Sequence, residues 1–145
     1  MIQRIQSILL LFTALIFGAL FKVPFAISNK PSVQYLSDSV FDITDHPVLL
    51  GLTILGALVS LISIFQFRKR PVQLKLGYLI IVSAILILVV AFLLFTRASA
   101  EADASVQVSD QAGLYIPLVA IILAGIANYF IKKDDKLVKS MDRLR

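Results

Sequence analysis

Cysteine is absent from this chain of 145 residues. Its absence excludes disulfides, thiolate metal sites, cysteine nucleophiles and a lipidated anchor cysteine, and it leaves the redox compartment open. Histidine occurs once, at His46, so a closed zinc site cannot draw its usual four ligands from His and Cys. Charge is also scarce. Charged residues make up 16% of the sequence and hydrophobic ones 59%, where soluble domains carry about 25% and 45–50%. The stretches 47–67, 76–96 and 113–131 hold no Asp, Glu, Lys, Arg or His at all. Ion-coupled transporters and proton relays place such a group near the membrane midplane, so its absence argues against that class. No G-x-S-x-G, H-E-x-x-H or P-loop pattern occurs. No enzyme chemistry is specified, and no cofactor is expected.

What is present is apolar length. Four blocks, at about 5–25, 47–67, 76–96 and 113–131, reach the span of a bilayer core. They predict an all-α membrane protein: one integral domain over 1–145, built as a four-helix transmembrane bundle. A soluble four-helix core is the alternative, but its helices would need polar faces, and 79–95 offers only Ser83. The third block alone carries fifteen Leu, Ile, Val or Phe. At about −0.3 to −0.6 kcal/mol each, insertion is favoured by at most roughly 4 to 9 kcal/mol.

The first block has two readings. Arg4, an apolar run and Ala26 resemble a cleavable signal peptide, but Pro24 stands where a small residue is wanted and the run is long. An uncleaved first helix is expected; cleavage would leave three helices and the same C-terminal side. Small residues four apart, Ala14 and Gly18, Gly56 and Ser60, Ala120 and Ala124, predict close helix packing within the chain. Asn128 continues the last of these faces and is expected to meet another helix.

Between the blocks lie polar connections. In 27–46, Val33 and Tyr35 alternate, as do Phe41 and Ile43, with Ser37-Asp38-Ser39 as a turn, which predicts a short hairpin. Ala104, Val106 and Val108 alternate with Ser105, Gln107 and Ser109 and read as a third strand beside it. The connection 68–75 is short and basic, and Pro71 breaks any continuous helix, so blocks two and three must run antiparallel.

Topology follows from the basic residues. Eleven of them lie at Arg4, in the 68–75 connection and after Ile131; three, Lys22, Lys30 and Arg97, lie on the other side. Short loops rich in Lys and Arg stay in the cytoplasm, so both termini are expected there, in a multi-pass protein of the inner membrane. A net charge of +5 would point a soluble domain toward nucleic acid. Here the charge flanks apolar blocks, and no nucleic-acid partner is expected.

Two candidate sites remain. Asp42, Asp45 and His46 offer metal ligands or an acid–base pair at the outer mouth, against a solvated acidic loop with Asp45 capping the helix at Pro47. No metal site is assigned. The tail 132–145 places Leu137, Val138, Met141 and Leu144 on one helical face, with Asp135 four residues before Lys139. A basic amphipathic helix there could lie along the inner leaflet, dock a partner or pack beneath 68–75. The residues expected to face lipid or a partner are Arg68, Lys69, Arg70, Lys132, Lys133, Lys136, Lys139, Arg143 and Arg145.

The opening Met1-Ile2-Gln3-Arg4-Ile5-Gln6-Ser7 and the close Lys132-Lys133-Asp134-Asp135-Lys136-Leu137-Val138-Lys139-Ser140-Met141-Asp142-Arg143-Leu144-Arg145 carry a resemblance. They are similar to the bacterial membrane family known as domain of unknown function 4293. The likeness covers essentially the whole chain, with Asp135 to Arg145 its specific part. It implies four spanning helices and supplies no catalytic residue or substrate. The expectation is therefore an accessory or structural membrane protein whose basic tail meets lipid headgroups or a protein partner, its oligomeric state open. A small transporter or channel for a neutral or lipidic substrate is the alternative.

Overall fold

The structure, a computed structural model, describes residues 2–29, 38–101 and 106–142. Four helices carry it: α1 (Ile2–Ala19), α2 (Pro47–Phe65), α3 (Arg70–Glu101) and α4 (Ile116–Asp142). Three short strands, β1 (Ala26–Ser28), β2 (Val40–Phe41) and β3 (Val108–Asp110), form one antiparallel sheet in the order β2-β1-β3. A 3-10 turn at Ala112–Leu114 leads into α4.

The helices pack in a ring, α1 on α2 and α4, and α3 on α2 and α4. Each turns inward a seam with steps of three and four residues. On α1 it is Gln6, Leu10, Thr13, Phe17 and Leu20; on α2, Leu49, Thr53, Gly56, Ser60 and Ser63. On α3 it is Gln73, Gly77, Ile80, Ala84, Ile87, Ala91, Leu94 and Ala98; on α4, Pro117, Ala120, Ala124, Ala127 and Ile131. Such steps give near-antiparallel helices the packing of a left-handed coiled coil. The outside is the greasy side. Ile8, Phe12, Leu15, Leu58, Ile62, Val82, Phe92 and Ile122 are all at least half exposed. α2, α3 and α4 are each long and apolar enough to cross a membrane, and α1 contributes a shorter apolar helix over Ile5–Ala19.

The sheet joins the chain's two polar connections. β1 pairs with β2 through Ala26–Phe41 and Ile27–Val40, and with β3 through Ala26–Asp110, Ile27–Ser109 and Ser28–Val108. A sheet this small needs a hydrophobic support. It has one: Phe25 and Phe41 lie 5.4 Å apart, centroid to centroid, and are buried with Leu20, Ile43, Leu49 and Leu114. Asp38 accepts a hydrogen bond from Val40 N, closing a turn in which Ser39 adopts a positive φ of 68°.

Several sequence expectations need correction. The first helix stops at Ala19 rather than near 25, because Leu20–Lys22 form a turn and Pro24 leads the chain into β1. β2 pairs with β1, and Ile43 lies outside the strand; Val33 and Tyr35 fall outside the described residues. The third strand begins at Val108, near the end of the expected stretch. The basic connection shrinks to 66–69, since Pro71 occupies the first turn of α3, where its missing N–H costs nothing. α3 accordingly runs 32 residues, and α4 continues without a break through the tail to Asp142.

Two of the three small-residue pairs lie at helix contacts. Phe17 packs its ring against Gly56, and Ala120 and Ala124 are fully buried. Ala14 is buried, but Gly18 faces outward into open space. Asn128 does meet another helix, its amide lying against Gly77 of α3. Gly113 is the tightest backbone position: it donates to Pro24 O at 3.0 Å, and a Cβ there would run into the Val23 and Pro24 carbonyls. Gly113→Ala should therefore destabilise the protein by about 1–3 kcal/mol, because backbone must move to admit the methyl. Gly51→Ala, which meets open space, should be neutral or stabilise slightly, by up to about 1 kcal/mol. Thermal unfolding of both variants in one detergent checks the contrast.

Candidate functional site

The acidic connection before α2 is a capping structure. His46 is the N-cap of α2, its Nδ1 accepting from Val48 N at 3.2 Å, with Pro47 in the first turn. This corrects the expectation that Asp45 caps the helix. Asp45 instead turns back, Oδ2 accepting from Asp42 N at 2.7 Å, while Asp42 Oδ1 takes both Thr44 N and Thr44 Oγ1 at 2.6 Å. The three side chains are each directed to a backbone N–H rather than converging on one point. No grouping of three His, Cys, Asp or Glu suited to a metal ion occurs among the described residues. Burial raises the Asp45 carboxyl above its ordinary value of 3.8; the Asp42 N–H opposes the shift, and the neighbouring Asp42 and Asp38 charges add to it.

At the opposite end the ring of helices meets its basic residues. Arg70, at the start of α3, holds Asp134 of α4 with Nη2 2.9 Å from Oδ2, both side chains largely buried. One turn on, Lys139 donates to Asp135 at 2.6 Å across a single helical turn, the pair expected from the spacing. Those acids thus draw Arg70 and Lys139 into contacts within the chain. Arg68 lies over the Phe67 ring at 5.8 Å, and Lys69 sits in the 66–69 turn. Lys132, Lys133 and Lys136 are exposed and line an open groove of about 200 Å³ with Tyr129. Arg143 and Arg145 fall outside the described residues.

The seam face of α4 extends past the apolar block. After Ile131 come Asp134 and Val138, both half-buried, so α4 leans on its neighbour into the tail. Of Leu137 and Val138, both expected on the apolar face, Leu137 is exposed and Val138 is half-buried.

The interior near this end is polar. Gln6, Ser63, Gln73 and Asn128 are buried, and Gln73 Nε2 donates to Ser63 O at 3.1 Å across α3 and α2. Among the described residues, Gln6 Nε2, Ser63 Oγ, Gln73 Oε1 and both amide atoms of Asn128 have no hydrogen-bond partner. Sequence reading singled out Asn128 and missed Gln6 and Gln73. Gln6 lies at the very start of its apolar block and Gln73 three residues before its own, and the signal that would have found them is the three–four step carried outward from Leu10 and Ile80. Elsewhere the seam hydroxyls are satisfied locally: Thr13, Thr53, Ser60 and Ser83 each donate to the carbonyl four residues back.

With three stretches able to cross a membrane and apolar side chains on the outside, the architecture is that of a membrane protein. The chain belongs to the family described as a domain of unknown function (DUF4293), which matches residues 2–144. Comparison with curated proteins found no match, and comparison with solved structures found none.

The raised carboxyl of Asp45 gives a pH test. Because folding favours the protonated form, its contribution is full below the ordinary value of 3.8 and is lost as pH rises through the raised one. Asp45→Asn keeps an oxygen to accept from Asp42 N and carries no charge at any pH. The variant should be at least as stable as the parent at neutral pH, and its advantage should shrink as pH falls toward 3.8. Unfolding curves collected across that range decide it; an advantage that grows in acid contradicts the assignment.

Proposed function

We propose that this protein crosses the bacterial inner membrane four times with both termini in the cytoplasm, and that it acts there as an accessory or structural component. The observation that carries the reading is the arrangement of its surface. Large apolar residues cover the outside of the ring, the inside is packed with a mixture of small, polar and large apolar side chains, and the sheet and most of the basic residues lie at opposite ends. In water that exposure would be untenable; in lipid it is the expected pattern, since close helix packing rather than hydrophobic exclusion holds such helices together. The excess of Lys and Arg at one end supports a cytoplasmic assignment for that end.

The role is one of contact rather than catalysis, with the basic face of α4 as the contact surface for lipid headgroups or a protein. The channel reading has less support. Of Thr53, Ser60, Ser63, Ser83 and Asn128, which would line a neutral path, Thr53, Ser60 and Ser83 give their hydroxyl protons to their own helices, while Ser63 and Asn128 keep polar atoms without a hydrogen-bond partner among the described residues. The sheet end is closed by Phe17, Leu20, Phe25, Phe41, Ile43 and Leu49, each no more than 1% exposed.

Because the chain has no cysteine, single cysteines report topology directly. In intact cells a membrane-impermeant maleimide should label Ser39→Cys and should reach Ser140→Cys only after the cells are opened. Labelling of Ser140→Cys in intact cells would overturn the orientation.

A further inference from the structure

We propose that Tyr129, Lys132, Lys133 and Lys136 form a binding site for the phosphate headgroup of an anionic glycerophospholipid, with its acyl chain lying along α4. The proposal rests on the membrane reading above and makes it specific. Three observations carry it.

The first is which cations are available. Arg70 and Lys139 are engaged with Asp134 and Asp135, while the ammonium groups of Lys132, Lys133 and Lys136 have no anionic partner among the described residues. Three ammonium groups around one groove of about 200 Å³ repel one another unless an anion sits among them.

The second is what the groove continues into. Val119, Ile122, Ile126, Tyr129, Lys133 and Lys136 follow one another by steps of three, four, three, four and three, so they share one face of α4. The apolar members of that stripe are exposed, from 41% at Ile126 to 60% at Ile122, and Tyr129 is exposed at 64%. The stripe is therefore apolar, then aromatic, then basic. That is the order in which a phospholipid presents acyl chain, glycerol backbone and phosphate. A soluble anion would use only the basic end of such a face, and an acidic protein segment would have no need of its apolar length.

The third is depth. Lys132 follows immediately on Ile131, the last residue of the apolar run, and α4 is continuous across the junction. The lysines stand at the height of the headgroups, where Tyr is also favoured. An uninterrupted helix fixes them relative to the stripe below.

The test uses the full chain in neutral detergent and native mass spectrometry, with dioctanoyl phosphatidylglycerol, dioctanoyl phosphatidylcholine and inorganic phosphate as probes. The parent protein should retain phosphatidylglycerol in preference to phosphatidylcholine. The triple variant K132Q/K133Q/K136Q should bind phosphatidylglycerol on the order of 100-fold more weakly, from three near-surface lysines. Lys139→Gln, which removes an ion-paired lysine, should leave binding within a few-fold of the parent. Since all three lysines are exposed, the triple variant should keep the parent's circular dichroism spectrum. Equal binding of phosphatidylglycerol by parent and triple variant overturns the proposal, as does equal binding of phosphatidylcholine by the parent. Displacement of the lipid by inorganic phosphate, or by an oligoglutamate peptide, at matching concentration also overturns it and identifies a soluble anion or an acidic protein as the occupant. Binding in detergent does not depend on which side of a membrane the lysines face, so this result and the labelling result can fail separately.

Discussion

Close approach of helix backbones is the condition on which the rest of the structure depends. In lipid there is no gain from hiding one apolar face against another, so helices hold together by fit and by contacts between polar groups. The inner seams meet that condition with small residues among larger ones: Gly56 receives the Phe17 ring, Gly77 receives the Asn128 amide, and Ala84, Ala91, Ala120 and Ala124 are fully buried. Their hydroxyl-bearing neighbours keep hydrogen bonds inside their own helices, so they occupy the interior without requiring a partner across it. Every large side chain that the seams cannot hold is turned outward. The apolar exterior is thus a consequence of the packing, and it is also what commits the chain to a membrane.

The interior differs from end to end. Toward the sheet it is filled largely by aromatic and branched side chains. Toward the basic end it carries Gln6, Ser63, Gln73 and Asn128, several of whose donors and acceptors are unpartnered among the described residues. A buried amide left without a partner costs on the order of 1–3 kcal/mol. The sheet reinforces the difference. It links the connection after α1 to the connection before α4 through residues about eighty positions apart, as in Gln107 N to Asn29 Oδ1. Among the described residues the basic end has no strand pairing of this kind. There the 66–69 turn and the Arg70–Asp134 pair do the joining.

Much of the fold was legible because lipid imposes a coarse rule: an uncharged apolar run of twenty residues forms a helix, and the connections between runs are polar. Three of the four blocks could be placed within a few residues at their apolar ends. What the rule does not specify is where a helix stops once it leaves the apolar run. α3 gains six residues at its start because Pro71 is compatible with a first turn, and α4 gains its tail because Lys132 to Asp142 contains no breaker. Strand pairing was harder to read. β1 consists of three residues, Ala26 to Ser28, just past the expected end of the first helix, and two or three residues carry no usable period. The site at the basic end was legible as a list of cations. Which of them are available was not, because that is decided by Asp134 reaching Arg70 on another helix, a contact separated by more than sixty residues of sequence.

That division of the cations follows from helix phase. A straight α4 presents residues 131, 134 and 138 to its neighbour, as the burial of Ile131 and the half-burial of Asp134 and Val138 record. Any residue at 132, 133 or 136 must then point away from the ring. An acid on the inward face can be matched from α3, and Arg70 does so; a cation on the outward face has only solvent or lipid to meet. Had α4 broken after Ile131 and lain flat along the membrane, the lysines would have been spread along the surface. Their connection with the Ile122–Ile126 stripe would then have been lost. Continuity of the helix is therefore what turns a basic tail into a groove with an apolar approach, and it is Asp134, held by Arg70, that ties the extension to the rest of the ring.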